Sequence, residues 1–143
     1  RVHPVLLIDE AHLLSTDILQ ELRMLTNFEI DSFNALTVLL CGQKRLRMKF
    51  GLAVLESLAS TISITISLGG LPKEETFSYV EARLKAAGAQ STLFTKNALE
   101  LIHQAAGGIM RTINTIAHAA LIKGFIGKSA QVEAEHVQSV LER

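Results

Sequence analysis

The sequence has a single cysteine, Cys41, which excludes an intramolecular disulfide and argues against a cysteine-based zinc site. A reducing, cytosolic compartment fits that usage. Excess charge is also absent. Lys+Arg and Asp+Glu each total 14, for a formal net charge of zero, so no global field favours nucleic acid or an anionic membrane, while local basic patches stay open. No apolar run approaches the ~20 residues needed to span a bilayer. No signal peptide is present, and the opening Arg1-Val2-His3-Pro4 reads as a cut into a longer chain. Histidines 3, 12, 103, 118 and 136 show no metal-ligand spacing, and neither an internal repeat nor a low-complexity tract occurs.

What is present is a foldable, core-rich composition: 48% hydrophobic and 20% charged over 143 residues, enough for one domain or two small subdomains. Residues 5–12, Val-Leu-Leu-Ile-Asp-Glu-Ala-His, are the most informative stretch. Four apolar residues end in two adjacent carboxylates. Such a run reads as a central parallel strand buried on both faces. In open α/β sheets, ligands bind just beyond the carboxyl ends of the strands, where Asp9 and Glu10 stand. One carboxylate there can hold Mg²⁺ and a second can orient a water that attacks a phosphate, the chemistry of a Walker B segment. An ordinary strand-end turn is the alternative reading.

Strand and helix signals alternate through the first half. Ser15 or Thr16 can cap a helix running to about Asn27, with Ile18, Leu19, Leu22 and Leu25 on its apolar face. Asp31 to Asn34 are turn-like. Ala35 to Cys41 reads as a second buried strand closed by Gly42, and Lys44 to Leu58 as a helix broken near Gly51. Ile62 to Leu68 alternates Ile with Ser or Thr, a third strand pattern. Gly69-Gly70-Leu71-Pro72 marks a boundary, after which four helices are expected: from Pro72 to Gly88, from Thr95 to Gly107-Gly108, from about Met110 to Phe125, and over about Glu133 to Leu141.

The ordered set VLLIDEAHLL, ELRMLTNFE, LTVLLCGQKRLR, LPKEETFSYVEARLKAAG and LFTKNALELIHQAAGGIMRTIN resembles the carboxyl-terminal part of AAA+ ATPases of the ExeA/GspA type, a family that includes general secretion pathway and transposition-helper ATPases. The resemblance covers essentially the whole chain. It implies an α/β fold class: a partial RecA-like P-loop NTPase core of three strands over residues 1–70, then an all-α four-helix AAA+ lid over residues 71–143. It implies ATP and Mg²⁺ as cofactors of the parent protein. Asp9 would support the metal and Glu10 would polarise the attacking water. Gln43 takes the sensor 1 place, and Arg111, at the start of a lid helix, the sensor 2 place, with Asn114 one helical turn on.

Two departures qualify that carry-over. The family's phosphate-binding loop, Gly-x-x-x-x-Gly-Lys-Ser/Thr, is not in this sequence, so tight Mg-ATP binding by these residues alone is not expected. Residues 58–68 hold no arginine where the family usually carries finger candidates, and Arg45 and Arg47 lie earlier. With the phosphate-loop strand missing between the second and third strands, unpaired edges and uncovered apolar faces are expected to make the chain either self-associate or rearrange its first half.

The expected function is therefore part of an ATP-hydrolysing motor or switch, cytoplasmic or peripheral to the inner membrane. It would act in secretion-apparatus assembly or in target-DNA handling during transposition. The alternatives are a catalytically silent interaction module and a DNA-binding helper without ATPase activity. Lys44, Arg45, Arg47 and Lys49 are the candidate DNA contact or a solvated face. Gln43 could be a solvated strand-end amide and Arg111 a surface cation. His12 could sense nucleotide, support Glu10, or make a structural hydrogen bond. Cys41 reads as a small buried hydrophobe.

Overall fold

A computed structural model describes residues 3–26 and 36–142. The expected turn at Asp31 to Asn34, the helix end at Asn27 and the strand start at Ala35 lie outside those residues. The chain divides into two compact units, Arg1–Ile66 and Ser67–Arg143.

The first unit begins with β1 (Val5–Ile8), a 3-10 turn at Ala11–Leu13 and α1 (Thr16–Thr26). It continues with β2 (Thr37–Leu40), α2 (Lys44–Lys49), a second 3-10 turn at Ala53–Leu55 and α3 (Glu56–Ala59). β1 and β2 form a parallel pair in the register Val5↔Thr37 to Ile8↔Leu40. The ladder continues past the strands. Cys41 N–H donates to Ile8 O at 2.8 Å, and Ala11 N–H to Cys41 O at 2.8 Å. Ser15 caps α1, its hydroxyl accepting Ile18 N–H at 3.3 Å. Gly51 lies where the 44–58 helix breaks, as its sequence suggests.

Leu19, Leu22, Leu55 and Leu58 make the core of this unit, with Leu6, Ile8, Leu14, Leu40 and Phe50 packed against it. The apolar stripe of α1 is narrower than expected: Leu19 and Leu22 are buried, whereas Ile18 and Leu25 are exposed. The strands are covered on one face only, not both. Leu6 and Ile8 turn inward, while Val5 and Leu7 stay 61% and 59% exposed, because nothing among the described residues covers that side.

The α/β class of the first unit holds, but its expected third strand does not form. Residues 62–68 make no ladder, and both alternating sets of side chains are exposed. A strand needs a neighbour for its backbone groups. In the expected sheet order that neighbour is the phosphate-loop strand, which is not among these residues.

The second unit contains the four expected helices, α4 (Lys73–Ala86), α5 (Lys96–Ala106), α6 (Met110–Ile126) and α7 (Ala134–Leu141). Their ends follow local chemistry. Pro72 precedes α4, Glu74 and Glu75 occupy its first turn, and Arg83 and Lys85 its last, which complements the helix dipole. Thr95 caps α5 by accepting Ala98 N–H at 3.3 Å. His136 Nδ1 accepts Glu133 N–H at 2.9 Å, completing a capping box on α7. The core includes Val80, Leu99, Ile102, Ile113, Ala120 and Val137. A parallel bridge between Phe94 and Val132 joins the segments leading into α5 and α7. Gly70 and Leu71 belong to this unit: Leu71 N–H donates to Gly108 O at 2.8 Å.

Candidate functional site

The candidate site lies where β1 and β2 end. After Ile8 the chain must leave the sheet, and it does so at Glu10, whose φ of 52° is left-handed. That conformation costs a non-glycine residue about 1–2 kcal/mol, so its surroundings must hold it. Glu10 N–H donates to Asp9 Oδ1 at 2.8 Å, and the next amide, Ala11 N–H, is fixed on Cys41 O. Both carboxylates are thereby held at the carboxyl edge of the parallel pair, and both are exposed.

His12, by contrast, is buried, its side chain 2% exposed. Its Nε2 lies 3.4 Å from Glu10 Oε2. Its Nδ1 accepts the backbone N–H of Gln43 at 3.3 Å. Gly42 makes room for this ring, since a Cβ there would stand 3.2 Å from His12 N and 3.4 Å from His12 Nδ1. Gln43 immediately precedes α2, and its Oε1 accepts from Arg45 Nη2 at 2.9 Å. The α2 end is tied back to the same loop by Lys49 Nζ, which donates to Leu14 O at 2.6 Å.

Asp9, Glu10 and Gln43 are thus brought together, as the strand-end argument expects. His12 and Arg45 join them as supporting groups. The sequence signal for His12 was its place two residues after Glu10; nothing in the sequence showed that its ring would reach Gln43. Of the four cations considered for DNA contact, Arg45 and Lys49 make these local hydrogen bonds. Cys41 is half-buried rather than fully buried, at the end of the ladder.

Arg111 and Asn114 lie in the second unit, in the first turns of α6. Arg111 is exposed, and no described residue pairs with its guanidinium. Asn114 is also exposed, and its Oδ1 accepts the hydroxyl of Tyr79 at 3.1 Å.

No group of three or more His, Cys, Asp or Glu side chains among the described residues could hold a metal by itself. Asp9 nevertheless fits Mg²⁺. One carboxylate oxygen is engaged by Glu10 N–H and the other is open. Mg²⁺ is commonly held by one or two carboxylates plus phosphate oxygens and water, not by a protein cage.

Residues 1–50 match the model of an AAA domain family. Over 128 residues, 90% of the chain, the sequence is 38% identical to General secretion pathway protein A of Aeromonas hydrophila. The chain spans 23% of that protein's length. The fold resembles that of a RuvB mutant from Thermotoga maritima, with a TM-score of 0.67 over 96% of this chain and 44% of that one. Sequence identity there is 19%, so the likeness is one of fold. No helix among the described residues is long and apolar enough to cross a membrane. By family match over residues 1–50, by relative and by fold, this chain resembles AAA-domain proteins and is similar to general secretion pathway protein A.

Proposed function

We propose that the chain is the Walker B, sensor 1 and lid portion of a protein that hydrolyses ATP as a motor or switch. Residues 1–70 would complete a nucleotide-binding core and residues 71–143 would form its lid. The observation that carries this reading is the convergence of Asp9, Glu10 and Gln43 at the carboxyl ends of two adjacent parallel strands, where α/β sheets bind ligands.

The reaction is phosphoryl transfer to water. Mg²⁺, when bound through Asp9, would neutralise charge on the phosphates. Glu10 orients the attacking water and accepts its proton. Gln43, its carbonyl held by Arg45, keeps its amide NH₂ to donate to the water or to a phosphate oxygen. Arg111, without a partner among described residues, is available to pair with phosphate, and Asn114 supports that end of α6.

The likeness to a general secretion pathway protein favours partners in a secretion apparatus, with the parent protein oligomeric and at the cytoplasmic side of the inner membrane. Target-DNA handling has less support, since two of the four α2 cations are engaged locally. The open sheet face and the unpaired 62–68 segment support self-association of this chain when alone.

The test compares ATP binding and hydrolysis by this chain and by its longer parent. Hydrolysis is expected only in the parent, with turnover falling at least ~100-fold in Glu10→Gln while ATP binding is retained. A parent that binds no nucleotide would overturn the reading.

A further inference from the structure

The ends of β1 and β2 are joined by one buried side chain that the reaction outlined above does not use. We propose that His12 is a positioning residue that holds the Glu10 carboxylate in fixed relation to the backbone of Gln43, so that the water-orienting group and the sensor residue move as one. The proposal rests on the reading of Glu10 as the carboxylate that orients water.

The ring's one hydrogen bond sets its direction. Nδ1 accepts Gln43 N–H, so that nitrogen carries no proton. The proton of the neutral ring is then on Nε2, which faces Glu10 Oε2 at 3.4 Å. The ring is 98% enclosed by the measure of its 2% side-chain exposure, and Gly42 borders its Nδ1 edge, so it has little freedom to turn. Glu10, in contrast, carries a flexible side chain that is 56% exposed. Without a donor, its carboxylate would sample several rotamers over open solvent. A donor whose other nitrogen is fixed on the loop between β2 and α2 restricts that sampling. It also transmits any displacement of the β2 end to the carboxylate. Misplacement of a reacting group by about 1 Å can cost on the order of 100-fold in rate, so the restraint has kinetic weight even though each hydrogen bond is modest.

Two substitutions separate the ring's two contacts. In His12→Asn, the short amide can keep an acceptor for Gln43 N–H but cannot reach Glu10. In His12→Gln, the longer amide can donate to Glu10 but gives up the Gln43 contact. In the parent protein, His12→Asn is expected to lower kcat by roughly 10- to 100-fold with KM for ATP unchanged, and His12→Gln to recover only part of that loss, because its donor is no longer fixed on Gln43. Melting temperatures of both variants accompany the kinetics. Equal kcat losses that track loss of stability would mean a purely structural histidine and overturn the proposal. Glu10→Gln is the control. If hydrolysis survives it, the reading of Glu10 as the water-orienting carboxylate fails and the positioning role with it. If hydrolysis is lost in Glu10→Gln but untouched in His12→Asn, the positioning role alone fails. A second readout needs no nucleotide: ¹⁵N spectra of histidine-labelled chain should show His12 protonated on Nε2, with Glu10→Gln perturbing that nitrogen more than Nδ1. A proton on Nδ1 instead overturns the proposal.

Discussion

Tyr79 on α4 donates its hydroxyl to Oδ1 of Asn114 on α6 at 3.1 Å. The amide that the family resemblance places near the nucleotide is thereby anchored through its carbonyl side. The same bond links two helices of the second unit, so a residue proposed for ligand contact also carries the geometry of that unit.

Tyr79→Phe removes this bond without changing the ring. Because the site is exposed, the expected loss is about 0.5–1 kcal/mol in urea unfolding of the chain. Asn114→Ala should cost a similar amount, and the double variant little more than either alone, since both remove one interaction.

Arg111 is exposed and makes no pairing with a described residue, so Arg111→Ala should leave stability within about 0.5 kcal/mol. In the parent protein, the same change should weaken ATP binding by roughly tenfold or more, the scale of one charge-assisted hydrogen bond. Equilibrium titration with a fluorescent ATP analogue reads the effect. Unchanged affinity would remove Arg111 from the nucleotide site.

Gly108 has φ of 74°, and a Cβ there would run into the backbone of Leu71 and Gly70. Gly108→Ala therefore combines a left-handed penalty with a clash against a segment that cannot retreat without losing the Leu71 N–H to Gly108 O bond. The expected cost is about 3 kcal/mol or more, measured as a lower urea midpoint. Gly88→Ala, with φ of 94° but open space around its Cβ position, should cost less.

Lys73 Nζ lies 2.6 Å from Glu100 Oε1 and joins α5 to α4. The hydrogen bond and charge of Lys73 hold the Glu100 carboxyl below its ordinary value of 4.5. The folded value is lower than the unfolded one, so the pair's contribution is fully present above about the unfolded value and disappears as pH falls through the folded one. The pair is exposed, so its effect on stability should be small and screened by salt. Carboxyl chemical shifts followed against pH should show Glu100 titrating below its ordinary value, and Lys73→Met should return it toward that value.

Much of this architecture was legible in the residues. The four helices of the second unit begin and end on local signals: Pro72 before α4, the Thr95 hydroxyl, the Gly107-Gly108 pair, and Glu133 with His136. Such signals act within a few residues of chain, so a sequence shows them directly. Asp9, Glu10 and Gln43 were legible for a related reason, since an apolar strand that gives way to polar residues puts those residues at the sheet edge.

The rest depended on contacts distant in sequence. The 62–68 alternation has a strand's period, yet no strand forms, because period specifies which side chains share a face and not whether a neighbour exists to bond the backbone. The β1 run is apolar enough for burial on both sides, but Val5 and Leu7 remain uncovered for want of a covering layer.

From sequence alone came the elements, their order, the family resemblance and the candidate carboxylates, all fixed by patterns local to the chain. Tertiary structure alone decided the pairing of β1 with β2, the left-handed turn at Glu10, and the ring of His12 set between Glu10 and Gln43. Those relations span 31 residues between His12 and Gln43, and only packing can bring groups so far apart in the chain to within hydrogen-bonding distance.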